Sequence, residues 1–405
     1  MCAVPRLAAA LFFHPVANYY WDLAGSLAAG HGFALGGEPS TFMEPLYPAF
    51  LAALRRLTGD HVLAVELLQG GFGALGGVFL FLCAERLAGR RAAFAATALY
   101  AFYPYYARQS VAWIEVTFVT TLLIAALRQF SRIENIKGAA LCGLCLGLLL
   151  LTRSTFLVTL IALAGWLAIS RQTGRSLILV AVALAVALPW WLRNRGIDGS
   201  FLPPRAGENL FVSTSEFSRA ASPRYDVDLL IPHAYESIAD EVARRAPDDR
   251  SSGKVADAVF LERVAAYAVA HPGDVVWLKI RNALYLFDPR LLPAYEKSPD
   301  ARAVVNGASV TYEGLHSRPW LYSAAHAIAQ AGLIGFGAAG VWMRRRQLSD
   351  DAGLLIAAAS FALVYTIFFP TTRLMAPAMV VLMFYAGVAL EGLLRATSAA
   401  EQLQR

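Results

Sequence analysis

Charged residues are scarce in this sequence. Of its 405 residues only 16% are Asp, Glu, Lys or Arg, whereas 57% are hydrophobic, and the mean hydropathy is +0.50. Soluble globular domains carry about a quarter charged residues, so this shortage excludes an ordinary soluble protein. The apolar residues lie in runs of about 15 to 25, long enough to cross a hydrocarbon core. The composition therefore predicts an all-α polytopic membrane protein.

Cysteine is scarce as well, with only Cys2, Cys83, Cys142 and Cys145, all in apolar surroundings. In a soluble protein the Cys-x-x-Cys spacing of the last two would suggest redox or zinc chemistry. Within "GAALCGLCLG" the simpler explanation is small residues that pack against a neighbouring helix. No His/Asp cluster has the spacing of metal ligands, so no metal or other cofactor is predicted. A divalent metal is compatible with the sequence but is not indicated by it.

Ten membrane spans are predicted from the apolar runs. The first is partial because residues 1–14 are too short to cross about 30 Å of hydrocarbon, which suggests a truncated or misassigned start. The others are 62–86, 92–107, 111–129, 137–152, 155–170, 176–193, 320–343, 352–369 and 373–394. The net charge of +6 does not indicate nucleic-acid binding, since basic residues concentrate in short loops between spans.

The basic loops predict the orientation of the chain. Loops 85–91, 128–137, 171–175 and 344–346 are all cytoplasmic if the first span runs outward. A first external loop at 15–61 and a large polar segment then lie on the other side. The chain divides into an N-terminal transmembrane module (1–194), an extracytoplasmic, mainly helical subdomain (195–319) and C-terminal helices with a short tail (320–405).

Several conspicuous polar residues gather on the predicted external side. They are Asp22, His31, Glu44, Arg153, Arg193, Asn194 and Arg373. A single arginine at a helix end commonly snorkels to the interface. Three on the side that positive-inside bias disfavours are harder to explain in that way. Guanidinium groups bind phosphate in bidentate fashion, and a phosphate beside an apolar tail describes a polyprenyl-phosphate lipid.

The acidic residues allow more than one interpretation. Asn18 and Asp22 are four residues apart and share one face of a predicted interfacial helix, where a merely solvated Asp22 is the simpler interpretation. Glu44 precedes a second amphipathic helix, and its simplest role is to complement the N-terminus of that helix. Glu115, expected one to two turns inside its span, either pairs with Arg153 or Arg108 or lines a substrate cavity.

The first loop, "YYWDLAGSLAAGHGF…FMEPLYPAFLAAL", resembles that of bacterial GT-C glycosyltransferases of the protein-mannosyltransferase and aminoarabinose-transferase type. Four later stretches are similar in the same order: "YPYYARQSVAWIEVTF", "GLLLLTRSTFLV", "LPWWLRNRGIDGSFLPPRAGENLF" and "FFPTTRLMAPAMVVLMFYAG". The resemblance runs from about residue 14 to 394. It implies a GT-C transmembrane bundle with interfacial helices in the first external loop.

The resemblance also implies an activity. A multi-pass enzyme of the bacterial inner membrane would move a sugar, with inversion, from a polyprenyl-phosphate donor to a glycan, lipid or protein outside. Arg153 and Arg373 would face the lipid phosphate, and Glu44 would lie in the donor pocket. Further candidates for substrate binding are Asn18, Tyr20, His31 and Glu115. Arg193 and Asn194 would brace the floor of the external loop.

One departure from the family concerns the catalytic acid, which usually precedes the loop tyrosine by three or four residues. With Tyr20 as that tyrosine, the positions are Val16 and Ala17, and the nearest polar residue is Asn18. Either Asp22 or Glu44 serves as the base, or the protein is a catalytically impaired scaffold. The sequence is also compatible with an O-antigen polymerase or ligase and with a transporter.

Overall fold

The computed structural model describes residues 1–13, 18–222, 225–246, 249–289 and 295–403. The helices are α1 (Ala3–Phe12), α2 (Tyr19–Ala28), α3 (Leu46–Thr58), α4 (Val62–Ala88), α5 (Arg90–Phe102), α6 (Pro104–Gln109), α7 (Val116–Phe130), α8 (Ile136–Leu150), α9 (Phe156–Ile169), α10 (Thr173–Asp198), α11 (Ala206–Ser213), α12 (Ser218–Ala221), α13 (Val227–Arg245), α14 (Asp249–Ala270), α15 (Pro272–Tyr285), α16 (Trp320–Met343), α17 (Ala352–Ile367) and α18 (Thr372–Leu403). The strands are β1 (Ala34–Leu35), β2 (Glu38–Pro39), β3 (Tyr295–Asn306) and β4 (Ser309–Ser317). The predicted all-α class is confirmed.

The apolar helices form a transmembrane bundle. Four of them, α4, α10, α16 and α18, are long and apolar enough to cross a membrane by length and composition. Five shorter apolar helices, α1, α7, α8, α9 and α17, have 10 to 16 residues. The chain is a multi-pass membrane protein, and the count of ten spans stays a prediction.

Small residues bring α8 and α10 close together. A Cβ atom added at Gly143 would lie 2.5 Å from the Leu179 carbonyl oxygen, and one at Gly147 would lie 2.8 Å from the Ala183 oxygen. Cys142 is buried beside them as a free thiol. The Cys-x-x-Cys stretch thus belongs to a helix-packing surface, where larger side chains would push the backbones apart.

The predicted cytoplasmic loops meet at one end of the bundle, called the basic end. Arg86 donates to the Ser131 carbonyl (2.9 Å) and pairs with Glu134 (2.6 Å), while Arg175 donates to the Glu134 carbonyl (2.6 Å). A Cβ added at Gly353, just after the 344–351 turn, would lie 2.5 Å from the Phe130 ring, which places that turn at the same end.

A buried ion pair fixes this end of α16 to α18. Asp351, with no exposed surface, accepts from Arg344 through Nε (2.7 Å) and Nη2 (2.6 Å), and from the Tyr385 hydroxyl (3.2 Å). Removing one member of such a pair leaves a buried charge without compensation.

Asp351→Ala is expected to lower the free energy of unfolding by about 3–5 kcal/mol, because the Arg344 guanidinium would stay buried and unpaired. Denaturation of the purified protein with sodium dodecyl sulfate measures the change. Asp350→Ala, at the exposed neighbour, is the matched control and should stay within about 0.5 kcal/mol of wild type. Equal stability of the two variants would show that the ion pair contributes nothing.

Two span boundaries differ from the prediction. The predicted span 92–107 is interrupted at Tyr103, where the extended backbone ahead of Pro104 ends α5 and starts the short α6. The next helix, α7, begins only at Val116. Glu115 therefore precedes its helix, and its expected position one to two turns inside the span is wrong.

The segment after α10 folds over the end opposite the basic end. It contains α11 to α15 and an antiparallel hairpin of β3 and β4, which the sequence analysis did not predict. Pro272 begins α15 directly after α14, at the predicted break. Asn282 of α15 donates to the carbonyls of Thr366 (3.3 Å) and Phe368 (3.0 Å), which joins this segment to α17.

Candidate active site

Three charged side chains form a buried cluster at the end opposite the basic end. Glu115 Oε1 accepts from Arg153 Nη2 (2.5 Å) and Nε (3.1 Å), and Oε2 accepts from Arg373 Nη2 (2.7 Å). Glu115 is 2% exposed and Arg153 is 8% exposed, whereas 38% of the Arg373 side chain is open. Two guanidinium groups and one carboxylate give this arginine–glutamate triad a net charge of +1.

The three residues of the triad lie at helix ends on one side of the bundle. Glu115 immediately precedes α7, Arg153 lies in the turn between α8 and α9, and Arg373 is in the first turn of α18. The Arg373 Nε atom is buried with no hydrogen-bond partner among the described residues. A donor left without a partner in a low-dielectric site is costly, so an incoming acceptor would be bound favourably.

Tyrosines line the triad. Arg373 Nη2 donates to the Tyr20 hydroxyl (3.2 Å) and Arg153 Nη1 donates to the Tyr365 hydroxyl (3.3 Å). The Tyr20 ring packs edge-on against Tyr47, with centroids 5.1 Å apart, and burial raises the pKa of the Tyr20 phenol far above its usual value. Tyr20 thus enters the site as a neutral phenol from α2 of the first loop.

Glu44 is a half-buried carboxylate that contacts the chain turn carrying Arg153. Its Oε1 accepts from the Ser154 backbone N–H (2.7 Å), next in the chain to Arg153. Burial raises the pKa of the Glu44 carboxyl, an effect that the Ser154 hydrogen bond and the charge of Arg205 partly offset. A carboxyl with a raised pKa is suited to accept a proton near neutral pH.

Asn18, Asp22 and His31 lie outside this cluster. Asn18 is the N-cap of α2: its Oδ1 accepts from the backbone of Tyr20 (3.0 Å) and its Nδ2 donates to the Trp113 carbonyl (2.9 Å). Asp22 and His31 are exposed, and within the described ranges no side-chain hydrogen bond or ion pair joins either one to the triad. Val16 and Ala17, where the resemblance locates the usual acid, lie outside the described residues.

Arg193 and Asn194 hold the first loop against the end of α10. Arg193 donates to the carbonyls of Ser40 (2.8 Å) and Phe33 (3.2 Å), and its guanidinium carbon lies 4.3 Å from the Trp190 ring centre. Asn194 is fully buried and accepts from Arg193 (3.0 Å). Both residues therefore contact protein and hold the first loop in place.

Arg205 is a site residue that the sequence analysis missed. Its Nε donates to the fully buried Glu208 (2.6 Å), which also accepts from the Tyr235 hydroxyl (2.9 Å). The guanidinium carbon lies 4.4 Å from the ring centre of Phe42, two residues from Glu44. The signal was present in "PPRAGENLF", where Arg and Glu three residues apart can meet at the start of a helix.

Metal-ligating side chains do not cluster in the part of the chain that the structure describes. Among these residues, no group of three or more His, Cys, Asp or Glu side chains is placed to hold a metal ion. The candidate site is built from arginine, tyrosine and carboxylate side chains.

Comparison with known proteins gives a family match and structural neighbours. Residues 39–192, less than half of the chain, match the family described as dolichyl-phosphate-mannose-protein mannosyltransferase. Comparison with curated proteins found no match. The structure is similar to Archaeoglobus fulgidus oligosaccharyltransferase AglB, solved with an inhibitory peptide and a dolichol-phosphate, at a TM-score of 0.53 and 14% identity.

That similarity covers 100% of this chain and 51% of AglB, so the chain spans about half the length of this neighbour. The apo form of the same archaeal enzyme gives a TM-score of 0.55 at 13% identity, again over 100% of this chain and 51% of the other. ArnT from Cupriavidus metallidurans bound to undecaprenyl phosphate gives 0.47 at 15% identity, over 99% of this chain and 77% of that chain.

The fold defines the class of this protein. It is a membrane protein with the GT-C fold, as the resemblance in the first loop implied. The predicted fold is confirmed, and membership of the superfamily stays a prediction.

Proposed function

We propose that this protein is a glycosyltransferase that takes a sugar from a polyprenyl-phosphate donor and transfers it, with inversion, to an extracytoplasmic acceptor. The arginine–glutamate triad carries the proposal. A net positive charge in a buried site is unfavourable until an anion neutralises it, and Arg373 is open to receive one. The family match over residues 39–192 supports the same chemistry.

A lipid-linked phosphate suits this position better than a soluble one. The triad lies at the ends of apolar helices, so a phosphate bound to Arg373 could leave its polyprenyl tail in the bilayer. Since positive-inside bias assigns the basic end to the cytoplasm, the triad would face the extracytoplasmic side of a bacterial inner membrane. The acceptor would be a glycan, a lipid or a protein, and we propose no cofactor.

The reaction would be a direct displacement. The acceptor hydroxyl oxygen attacks the anomeric carbon, the bond from that carbon to the donor phosphate oxygen breaks, and the hydroxyl proton passes to a carboxylate. The leaving polyprenyl monophosphate gains negative charge, which Arg373 and Arg153 stabilise. Glu44 suits the role of base better than Asp22, because it is half-buried beside the turn that carries Arg153 and has a raised pKa.

Two rival functions predict different observations. A transporter would place ionisable groups near the midplane of the bilayer, whereas the triad lies at one end of the bundle. An O-antigen polymerase or ligase would draw on a diphosphate-linked oligosaccharide.

The proposal is tested with purified protein in liposomes, a panel of polyprenyl-phosphate hexoses and pentoses, and an envelope extract as acceptor. Release of polyprenyl monophosphate with sugar transfer is expected from at least one of these donors. Turnover with diphosphate-linked oligosaccharides alone would favour the polymerase or ligase. A folded protein inactive with every donor would indicate an impaired scaffold.

A further inference from the structure

A cavity of about 550 Å³ lies at the basic end, between the start of α8 and the turn from α9 to α10. Its lining consists of Ile136, Arg171, Gln172, Thr173, Gly174, Arg175 and Ile178. Two of these residues are arginines and none is acidic. Unlike the triad at the other end of the bundle, this cavity has no carboxylate in its own wall.

Arg171 adopts a backbone conformation that glycine would adopt more easily. Its φ is +60° at the end of α9, where its N–H donates to the Ala168 carbonyl (3.1 Å) and that of Gln172 donates to Leu167 (2.8 Å). A left-handed residue just beyond a helix end is most often glycine, since a Cβ is unfavourable there. An arginine at this position suggests that its side chain serves a purpose besides folding.

The Arg171 side chain is exposed, and the described part of the chain gives it no side-chain hydrogen bond or ion pair. Arg175 is held in place instead: it donates to Gln172 Oε1 (2.8 Å) and to the carbonyls of Ile133 (3.3 Å) and Glu134 (2.6 Å). These three acceptors are uncharged oxygens. The cavity therefore presents one fixed and one free positive charge.

The cavity lies at one end of the bundle of apolar helices. Its wall includes the first residues of α10, a helix long and apolar enough to cross the bilayer. Around it three apolar side chains are exposed, Ile136 by 63%, Ile169 by 82% and Leu177 by 66%. A ligand bound there would meet basic groups above an apolar, lipid-facing rim.

We propose that this cavity binds the phosphate headgroup of an anionic phospholipid from the adjacent leaflet, with Arg171 as the principal contact. Basic pockets between transmembrane helices on the cytoplasmic side recognise anionic headgroups in this way. The apolar rim would contact the acyl chains, which a soluble phosphate lacks. This inference does not depend on the proposed glycosyltransferase activity.

Arg171→Gly tests the proposal, because glycine removes the charge and also adopts the positive φ at this position with less strain. Detergent-purified protein is titrated with short-chain phosphatidylglycerol, phosphatidylcholine or inorganic phosphate, and lipid occupancy is measured by native mass spectrometry and thermal shift. Wild type is expected to bind phosphatidylglycerol in preference to phosphatidylcholine. Arg171→Gly should bind phosphatidylglycerol about fivefold more weakly.

Two comparisons make the outcome decisive. Without lipid, Arg171→Gly should melt at the wild-type temperature or above it, which shows that weaker binding is not misfolding. Arg91→Gln removes one exposed charge from the same end outside the cavity and should leave binding unchanged. Equal affinity of wild type and Arg171→Gly, equal binding of both lipids, or stabilisation by inorganic phosphate as great as by lipid would each overturn the proposal.

Discussion

Arg373→Ala is expected to lower the rate of sugar transfer by about 10²–10³-fold, the usual cost of removing a group that stabilises developing negative charge. Arg373 is the open member of the triad and the one that can reach a leaving phosphate. The fold should survive, because Glu115 keeps both hydrogen bonds to Arg153 and the remaining pair is neutral. Release of polyprenyl monophosphate under single-turnover conditions measures the effect.

The matched control for Arg373→Ala is Arg219→Ala. Arg219 pairs with Asp274 on the surface of the same end of the molecule, with half of its side chain exposed. Its loss removes an equal charge and should change the rate less than about twofold. Arg373→Lys keeps the charge but loses the paired donors, so we expect an intermediate rate. An Arg373→Ala enzyme as fast as wild type would remove the phosphate role from this residue.

The sequence predicted the grouping of polar residues at one end because that grouping follows from local patterns. Apolar runs locate the spans and basic loops orient them, so Arg153 and Arg373 had to face the same side. Their shared partner could not be predicted in the same way. Arg373 and Glu115 are 258 residues apart, and only the packing of α7 against α18 brings them together.

Other features were present in the sequence but were not used. Gly307 and Ala308 join β3 to β4, and a two-residue loop that begins with Gly between two extended stretches favours a hairpin. The sequence predicts Asn18 as a substrate ligand, yet an Asn directly before an amphipathic helix is also a preferred N-cap, and Asn18 caps α2 in the structure. In both cases the residues of the turn or of the helix end were sufficient to predict the local structure.

Two carboxylates of the first loop are candidates for the catalytic base, and their surroundings in the structure differ. Asp22 is exposed in the first turn of α2, where a carboxylate complements the helix dipole. Glu44 is half-buried and hydrogen-bonded to the backbone next to Arg153, and its carboxyl has a raised pKa. Of the two, only Glu44 contacts the chain beside the triad, which favours it as the proposed base.

Glu44→Gln is expected to lower the rate of transfer by about 10²–10⁴-fold, the usual contribution of a general base. The glutamine side chain can still accept from the Ser154 N–H, so the loop keeps its position and the loss reports on proton transfer. Asp22→Asn makes the same chemical change on the exposed carboxylate and should retain the wild-type rate. The reverse pattern, with Asp22→Asn inactive and Glu44→Gln active, would assign the base to Asp22.

The pH profile gives an independent measure of the same role. Because burial raises the pKa of Glu44, the carboxyl is protonated and inactive as a base at pH values where an ordinary glutamate is already ionised. The wild-type rate should therefore fall as the pH drops through this raised pKa, and rise to a plateau above it. The residual rate of Glu44→Gln should no longer fall at low pH, whereas the rate of Asp22→Asn should still fall there. If the rate of Glu44→Gln fell at low pH as the wild-type rate does, another group would be the one that accepts the proton.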